Sequence, residues 1–118
     1  MGQLGAASND IKGNVFLGYG AGQGGVTANT MAVQNNVGIG YNALSGVSGG
    51  QNNTALGYQA GSSISSGSGN IIIGSGSLGT YNPSNQLRIG NGNSFTLISG
   101  SLTDGWVHFW GSWNTTTY

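Results

Sequence analysis

The sequence contains no cysteine, and only four of its 118 side chains carry a formal charge, two basic and two acidic. Without cysteine, the chain cannot form a disulfide, a thiolate nucleophile or a cysteine-ligated metal site. The net charge is zero, so the chain lacks the clustered lysine and arginine that bind nucleic acid or an anionic membrane surface. No apolar run approaches the ~20 residues of a transmembrane helix. The composition therefore predicts no nucleic-acid partner and no membrane insertion.

Carboxylates and histidine are also scarce. There is no glutamate, the two aspartates Asp10 and Asp104 lie near opposite ends, and there is one histidine. A glycoside hydrolase needs paired carboxylates, and a zinc or calcium site needs several ligands. Ser101, Asp104 and His108 have the residue types of a catalytic triad, but their closeness within one turn and strand disfavours its geometry. The sequence therefore predicts no enzymatic activity: no catalytic residues, no metal site and no cofactor.

Glycine, by contrast, is abundant, with 25 residues, and it marks a repeat. Four similar segments follow one another: NVFLGYGAG (14–22), NVGIGYNAL (36–44), NTALGYQAG (53–61) and NIIIGSGSL (70–78). A looser fifth copy is centred on Gly90. In each copy two residues at alternate positions, apolar in all but one case, precede a glycine, and this period of two predicts a strand with both side chains on one face. We therefore assign the structural core to these positions: Val15, Leu17, Val37, Ile39, Leu56, Ile71, Ile73, Leu87 and Ile89.

The spacing of the copies predicts how they stack. A period of about 17 residues is too short for helical repeats and fits one coil of a β-solenoid. An apolar residue seven positions after the glycine, as at Val47 and Ile64, predicts a second, weaker strand in each coil. Equivalent positions would stack at about 4.8 Å, so that Tyr19, Tyr41 and Tyr58 form an aromatic ladder. An amide ladder is predicted beside them for Asn14, Asn36, Asn53 and Asn70.

The predicted fold class is therefore all-β, a parallel β-solenoid or β-roll. Phe16, Ala55 and Ile72 lie between the core positions and are predicted to point to the opposite face, as an apolar surface that requires covering. A single thin stack of coils is marginally stable, because its small buried area barely offsets the entropy of ordering the chain. Three or more chains around a common axis would bury this surface. We predict a homotrimer, with a monomer that exposes a few apolar residues as the alternative.

The C-terminal stretch SLTDGWVHFWGSWNTTTY differs in character, because it holds all three tryptophans. Asp104-Gly105 is a turn dipeptide, and the strand predicted after it places alternate aromatic residues on one face. The chain is accordingly divided into an N-terminal attachment or flexible segment (1–13), a solenoid repeat region (14–94) and a C-terminal hairpin (95–118). The hairpin is either a cap that closes the solenoid or a tip that binds a receptor through sugar-stacking aromatic rings. The candidate receptor-binding residues are Trp106, His108, Trp110, Trp113 and Tyr118.

The four repeat segments resemble the N/S-x-A-I-G-x-x-A repeats of YadA-like trimeric adhesin heads. They are more similar to the NTAIGYQAG-type repeats of bacteriophage tail fibres. The segment NQLRIGNGNSFTLISGSL (85–102) also resembles the segment that follows such repeats in phage fibres. The resemblance implies a left-handed parallel β-roll, intertwined as a homotrimer, that binds surfaces and catalyses nothing.

The function expected from this resemblance is that of a structural fibre protein of a phage virion, in a tail or head fibre. The sequence shows no secretory signal, stalk or anchor, which favours a virion component that is made in the host cytoplasm. Its expected partners are other virion proteins and a host surface receptor, for which a polysaccharide is one candidate. Two alternatives remain: the head domain of a bacterial trimeric autotransporter adhesin at the cell surface, and a capsid decoration or fibre-stabilising protein with a mechanical role.

Overall fold

A computed structural model describes residues 11–24, 32–76, 82–92 and 95–110. All the regular elements defined in this part of the chain are β-strands, and they form one sheet in chain order. Among the described ranges, no helix has the length and apolar character needed to span a membrane. The seven strands are β1 (Val15–Leu17), β2 (Val37–Ile39), β3 (Thr54–Leu56), β4 (Ile71–Ser75), β5 (Gln86–Asn91), β6 (Phe95–Ser101) and β7 (Trp106–Phe109).

The sheet is mixed. Strands β1 to β5 are parallel and pair in the register of the sequence repeat: Val37 lies beside Thr54, and Thr54 beside Ile71. Strand β6 then runs antiparallel to β5, and β7 antiparallel to β6. The predicted all-β class is confirmed, but only the first five strands have the predicted parallel arrangement.

A column of glycines lies at one level of the parallel strands. Gly18, Gly40, Gly57 and Gly74 follow directly on the apolar pairs of β1 to β4 and have φ values of 130°, 133°, 131° and 125°. Residues with a Cβ rarely adopt this backbone conformation. A Cβ on any of the four would also overlap the carbonyl oxygen of the next glycine in the column. The repeat therefore requires glycine here for both its φ angle and its close contact with the next strand.

The predicted amide ladder is present where each parallel strand begins. The Nδ2 of Asn36 donates to Oδ1 of Asn14 (3.1 Å), that of Asn53 to Oδ1 of Asn36 (3.0 Å), and that of Asn70 to Oδ1 of Asn53 (2.8 Å). Asn36, Asn53 and Asn70 are buried. Each also donates to a main-chain carbonyl of the turn segment that packs against the sheet. The ladder thus joins consecutive strands and also joins the sheet to the turn segments.

The hydrophobic core lies between the parallel strands and the turn segments that connect them. Its strand residues are Phe16, which is partly buried, and Ala55 and Ile72, which are fully buried. The side of the sheet on which they lie is called the inner face. The turn segments contribute the remaining buried apolar side chains: Val33, Ala43, Leu44, Val47, Ala60 and Ile64.

Our assignment of the two faces is therefore wrong for the single chain. The predicted core residues lie on the side of the sheet that faces away from the turn segments. Three of them are exposed, and the other six are only half-buried. Both faces carry apolar side chains, so the alternating pattern did not reveal which one the turn segments cover. The residues concerned are Val15, Leu17, Val37, Ile39, Leu56, Ile71, Ile73, Leu87 and Ile89.

The predicted second strand is also absent from the described repeats. Val47 and Ile64 are buried as expected, but each lies between a turn and a bend, in a segment without regular secondary structure. These turn segments are nevertheless joined to one another by main-chain hydrogen bonds, such as Leu44 N to Ala60 O (2.9 Å) and Ser48 N to Ser65 O (2.8 Å). Successive repeats are therefore linked on both sides of the core.

Candidate functional site

The most extensive candidate surface is the side of the sheet opposite the core, here called the outer face. In the antiparallel part of the sheet, paired residues lie on the same side. Ile98 pairs with both Ile89 and Phe109, and Gly100 pairs with Leu87 and Val107. The apolar surface therefore continues from β1 through β7. The side chains of the outer face are Val15, Leu17, Val37, Ile39, Thr54, Leu56, Ile71, Ile73, Leu87, Ile89, Ile98, Val107 and Phe109.

The outer face is exposed at both of its ends and at β3, and it is half-buried in the other strands. The exposed fraction is 65% for Leu17 in β1, 46% for Leu56 in β3 and 62% for Phe109 in β7. None of the side chains that define this face is charged, and Thr54 is the only one with a polar group. A continuous apolar surface of this kind usually marks a site of interaction on a soluble protein.

An exposed tyrosine ladder lies just beyond the ends of β1, β2 and β3. The rings of Tyr19 and Tyr41 are stacked with their centroids 5.4 Å apart, and those of Tyr41 and Tyr58 have the same separation. The ladder was predicted from the repeat, because equivalent residues in adjacent parallel strands lie directly beside one another. All three tyrosines are exposed, so their stacked rings form a solvent-accessible aromatic surface.

A second candidate surface lies on the C-terminal hairpin. Trp106, His108 and Trp110 project from the same side of β7 and its end, as predicted. Their rings are in contact: the centroids of Trp106 and His108 are 5.3 Å apart and edge-on, and those of His108 and Trp110 are 5.4 Å apart. The three side chains are exposed. They are here called the aromatic strip.

The register places the aromatic strip in line with the inner face. Ile72 pairs with Arg88, Arg88 with Ser99, and Ser99 with His108. The inner face is therefore apolar as far as β4 and becomes polar and aromatic from β5 onward. Trp110 is held in place by a hydrogen bond from its Nε1 to Oγ of Ser99 (2.8 Å).

The structure brings together three of the five predicted receptor-binding residues, namely those of the aromatic strip. Trp113 and Tyr118 lie outside the described residues. Asp104 does not orient His108 as a triad would require, because its carboxylate accepts a hydrogen bond directly from the Ser101 hydroxyl (2.8 Å). Within the described ranges, no group of three or more histidine, cysteine or acidic side chains could hold a metal ion.

The prediction did not identify Arg88 and Ser99 as neighbours of the aromatic strip. A signal for this arrangement was present in the sequence at Asn91-Gly92, since Asn-Gly is a strong hairpin dipeptide. It indicates that the chain reverses after β5, and the reversal places β6 between Arg88 and β7. The likeness of residues 85–102 to fibre segments gave no information about this reversal.

Comparisons with protein-family models, with curated proteins and with solved structures give no match to this chain.

Proposed function

We propose that the chain is a subunit of a phage virion fibre, a trimeric parallel β-solenoid that adheres to the host surface. The observation that carries this proposal is the uncharged apolar outer face, which runs the length of the sheet and is exposed or half-buried, but nowhere fully buried, in the single chain. The regular parallel register of β1 to β5 and the hydrogen-bonded turn segments support the solenoid. The similarity of the repeats to those of phage fibres supports the virion assignment.

The outer face requires a covering layer. Protein domains generally bury each apolar sheet face against a second layer, and in this chain the turn segments cover only the inner face. Seven strands at about 4.8 Å span roughly 29 Å, and three residues of each strand span about 10 Å. The face therefore covers roughly 300 Å² in projection, within the range that often marks an interaction site. Further copies of the same chain match it best, because an uncharged apolar surface is complementary to itself.

We propose three copies, with their outer faces turned to a common axis. This arrangement leaves the turn segments outside and aligns the three chains along one fibre. It follows the resemblance of the repeats to those of trimeric fibres. It also explains why both faces of the strands are apolar, since one face packs within the chain and the other between chains.

Sedimentation equilibrium tests the assembly. The wild-type protein is expected to sediment as a trimer, and Leu56→Asp to sediment as a monomer, because the substitution places a charge in the outer face. Leu102→Asp is the matched control: Leu102 is exposed to a similar extent, 47% against 46%, but lies in the hairpin turn. A wild-type monomer, or a Leu56→Asp variant that remains trimeric, would contradict the proposed interface.

Binding of the assembled protein to bacterial cells and to immobilised bacterial surface polysaccharides tests the adhesive role. Trp110→Ala is expected to reduce binding while the trimer remains intact. Tyr19→Ala is the control, because it removes an exposed aromatic ring at the opposite end of the sheet. Absence of binding by an intact trimer would favour a purely mechanical role. Neighbouring genes for capsid and tail proteins would support a virion fibre over a bacterial adhesin.

A further inference from the structure

The inner face changes from apolar to polar at strand β5. In β3 and β4 its side chains, Ala55 and Ile72, are buried in the core, but at the next position along the sheet it carries Arg88. Arg88 is the only arginine in the sequence. Its neighbours in the same row are Ser99 in β6 and His108 in β7. A charged side chain thus stands where the apolar core meets the exposed aromatic strip.

Arg88 has hydrogen-bonding capacity that the described part of the chain does not use. Its Nε is buried and has no hydrogen-bond partner there, whereas nearly all buried polar atoms in proteins are paired. Asp104, the one acidic residue in the described ranges, accepts hydrogen bonds from the hydroxyl of Ser101 (2.8 Å). A guanidinium group binds carboxylates through paired, charge-assisted hydrogen bonds. Arg88 as a whole is only half-buried, so a carboxylate supplied by a ligand would pair with its terminal guanidinium nitrogens rather than with the buried Nε.

The aromatic strip supplies a different kind of contact beside this cation. Trp106 and Trp110 are 46% and 59% exposed, and the His108 ring lies between them. Indole rings present a wide apolar face with a polar edge, which suits the flat C–H face of a sugar ring. The hydroxyl of Ser99, already bonded to Trp110, fixes one of these rings in place. The surface is open, which suits a polymer that lies across it.

We propose that Arg88 and the aromatic strip together bind an acidic polysaccharide. The sugar rings lie against the indoles, and a carboxylate of the polymer is paired with the guanidinium of Arg88. This inference rests on the proposed adhesive function and specifies the class of its receptor. It adds Arg88 as the residue that distinguishes acidic from neutral polymers.

The test measures binding to carboxylated bacterial capsular polysaccharides and to the same polymers after chemical reduction of the carboxylates to alcohols. The wild-type protein is expected to bind the carboxylated form about 10- to 100-fold more tightly, the range expected for hydrogen bonds to a charged group. Arg88→Gln is expected to lose this preference, and Arg88→Lys to retain part of it. Lys12→Gln, which removes the other basic side chain, is expected to behave like the wild type.

Thermal unfolding separates a binding role of Arg88 from a structural one. If Arg88 serves binding and not the fold, Arg88→Met is expected to be at least as stable as the wild type, because a buried nitrogen without a hydrogen-bond partner is replaced by an apolar side chain. A destabilised Arg88→Met variant would show that the arginine serves the fold and would overturn the inference.

The outcomes also separate this inference from the adhesive function on which it rests. Equal binding to the carboxylated and reduced polymers, abolished by Trp110→Ala, would leave adhesion in place and overturn the role of Arg88. Binding to neither form of any polymer would overturn the acidic receptor, and if bacterial cells were not bound either, the adhesive function would fail as well.

Discussion

The amide ladder offers the sharpest test of the fold, through the substitution Asn53→Asp. Asn53 is 1% exposed. Its Nδ2 donates to Oδ1 of Asn36 (3.0 Å) and to the carbonyl of Gly67 (2.9 Å), and its Oδ1 accepts from the main-chain N (3.1 Å) and Nδ2 (2.8 Å) of Asn70. The side chain therefore makes four hydrogen bonds within the protein. Aspartate has the same shape but no donor.

The expected loss of stability follows from the hydrogen bonds that aspartate cannot donate at this position. Both donated hydrogen bonds are lost, and an ionised oxygen then faces two acceptors at about 3 Å. The two accepted bonds become charge-assisted and recover part of the loss. An uncompensated buried charge typically costs about 3–5 kcal/mol, and we expect a loss of this size. It is a large part of the roughly 5–15 kcal/mol of a typical domain.

Urea unfolding at pH 7, followed by far-UV circular dichroism at a fixed chain concentration, measures this loss. With an m-value of about 1–3 kcal/mol/M, the midpoint is expected to fall by more than about 1 M. Asn52→Asp is the control: Asn52 is exposed, and its φ of 56° is one that aspartate tolerates. It should change stability by less than about 0.5 kcal/mol.

The pH dependence gives a second readout. Burial raises the pKa of the introduced carboxyl above the ~3.9 of an exposed aspartate. The folded variant then holds a proton more strongly than the unfolded chain, so the deficit should shrink as the pH falls from 7 towards 4. If Asn53→Asp unfolded at the same urea concentration as Asn52→Asp at pH 7, the ladder would not stabilise the protein and the reasoning would be refuted.

Two further substitutions test the packing of the coils by urea unfolding. Gly57→Ala is expected to cost more than about 3 kcal/mol, because φ is 131° and the new Cβ overlaps the carbonyl of Gly74. Gly105→Ala is its control, because Gly105 has a φ of 72° but no atom lies within 4 Å of the added Cβ. Backbone strain alone should then cost about 1–2 kcal/mol. Equal losses of stability in the two variants would contradict the role of the glycine column. Leu44→Ala should cost about 2–5 kcal/mol, since Leu44 is fully buried. A loss below 1 kcal/mol would show that the core closes over the cavity.

Much of the strand arrangement could be predicted from the repeat. The positions of β1 to β4, their parallel register and the two ladders follow from the recurrence of residues such as Asn36 and Tyr41 at fixed distances from a glycine. Because parallel strands stack in register, side chains at equivalent positions of the repeat lie beside one another whatever the rest of the sequence is. The hairpin turn at Asp104-Gly105 was identifiable for a local reason, since few dipeptides reverse a chain so readily.

The inner and outer faces could not be distinguished in this way, because a period of two defines two faces without showing which is covered. The structure explains which face is covered by the volumes of the side chains on it. Phe16 packs against Gly22 and Gly38, so that a large strand residue meets glycines. In the next coil the strand position is Gly38, and Leu44 from the turn is buried in the core. In these two repeats, the space between the strand position and the facing turn position is thus filled by one large side chain, which comes from the strand in the first repeat and from the turn in the second.

The sequence by itself thus determined which residues repeat, and therefore which residues stack along the sheet, because stacking depends only on spacing. Only the tertiary structure decided which face became the core and which apolar residues remained exposed, since this depends on the face over which the turn segments fold back and on how their side chains fill the space beside each strand. The tertiary structure also placed Arg88 in one row with His108, because the reversal of the chain after β5 aligns residues from three different strands. The spacing of the repeats determines which residues are neighbours in adjacent strands, whereas side-chain packing against the turn segments determines which residues are buried.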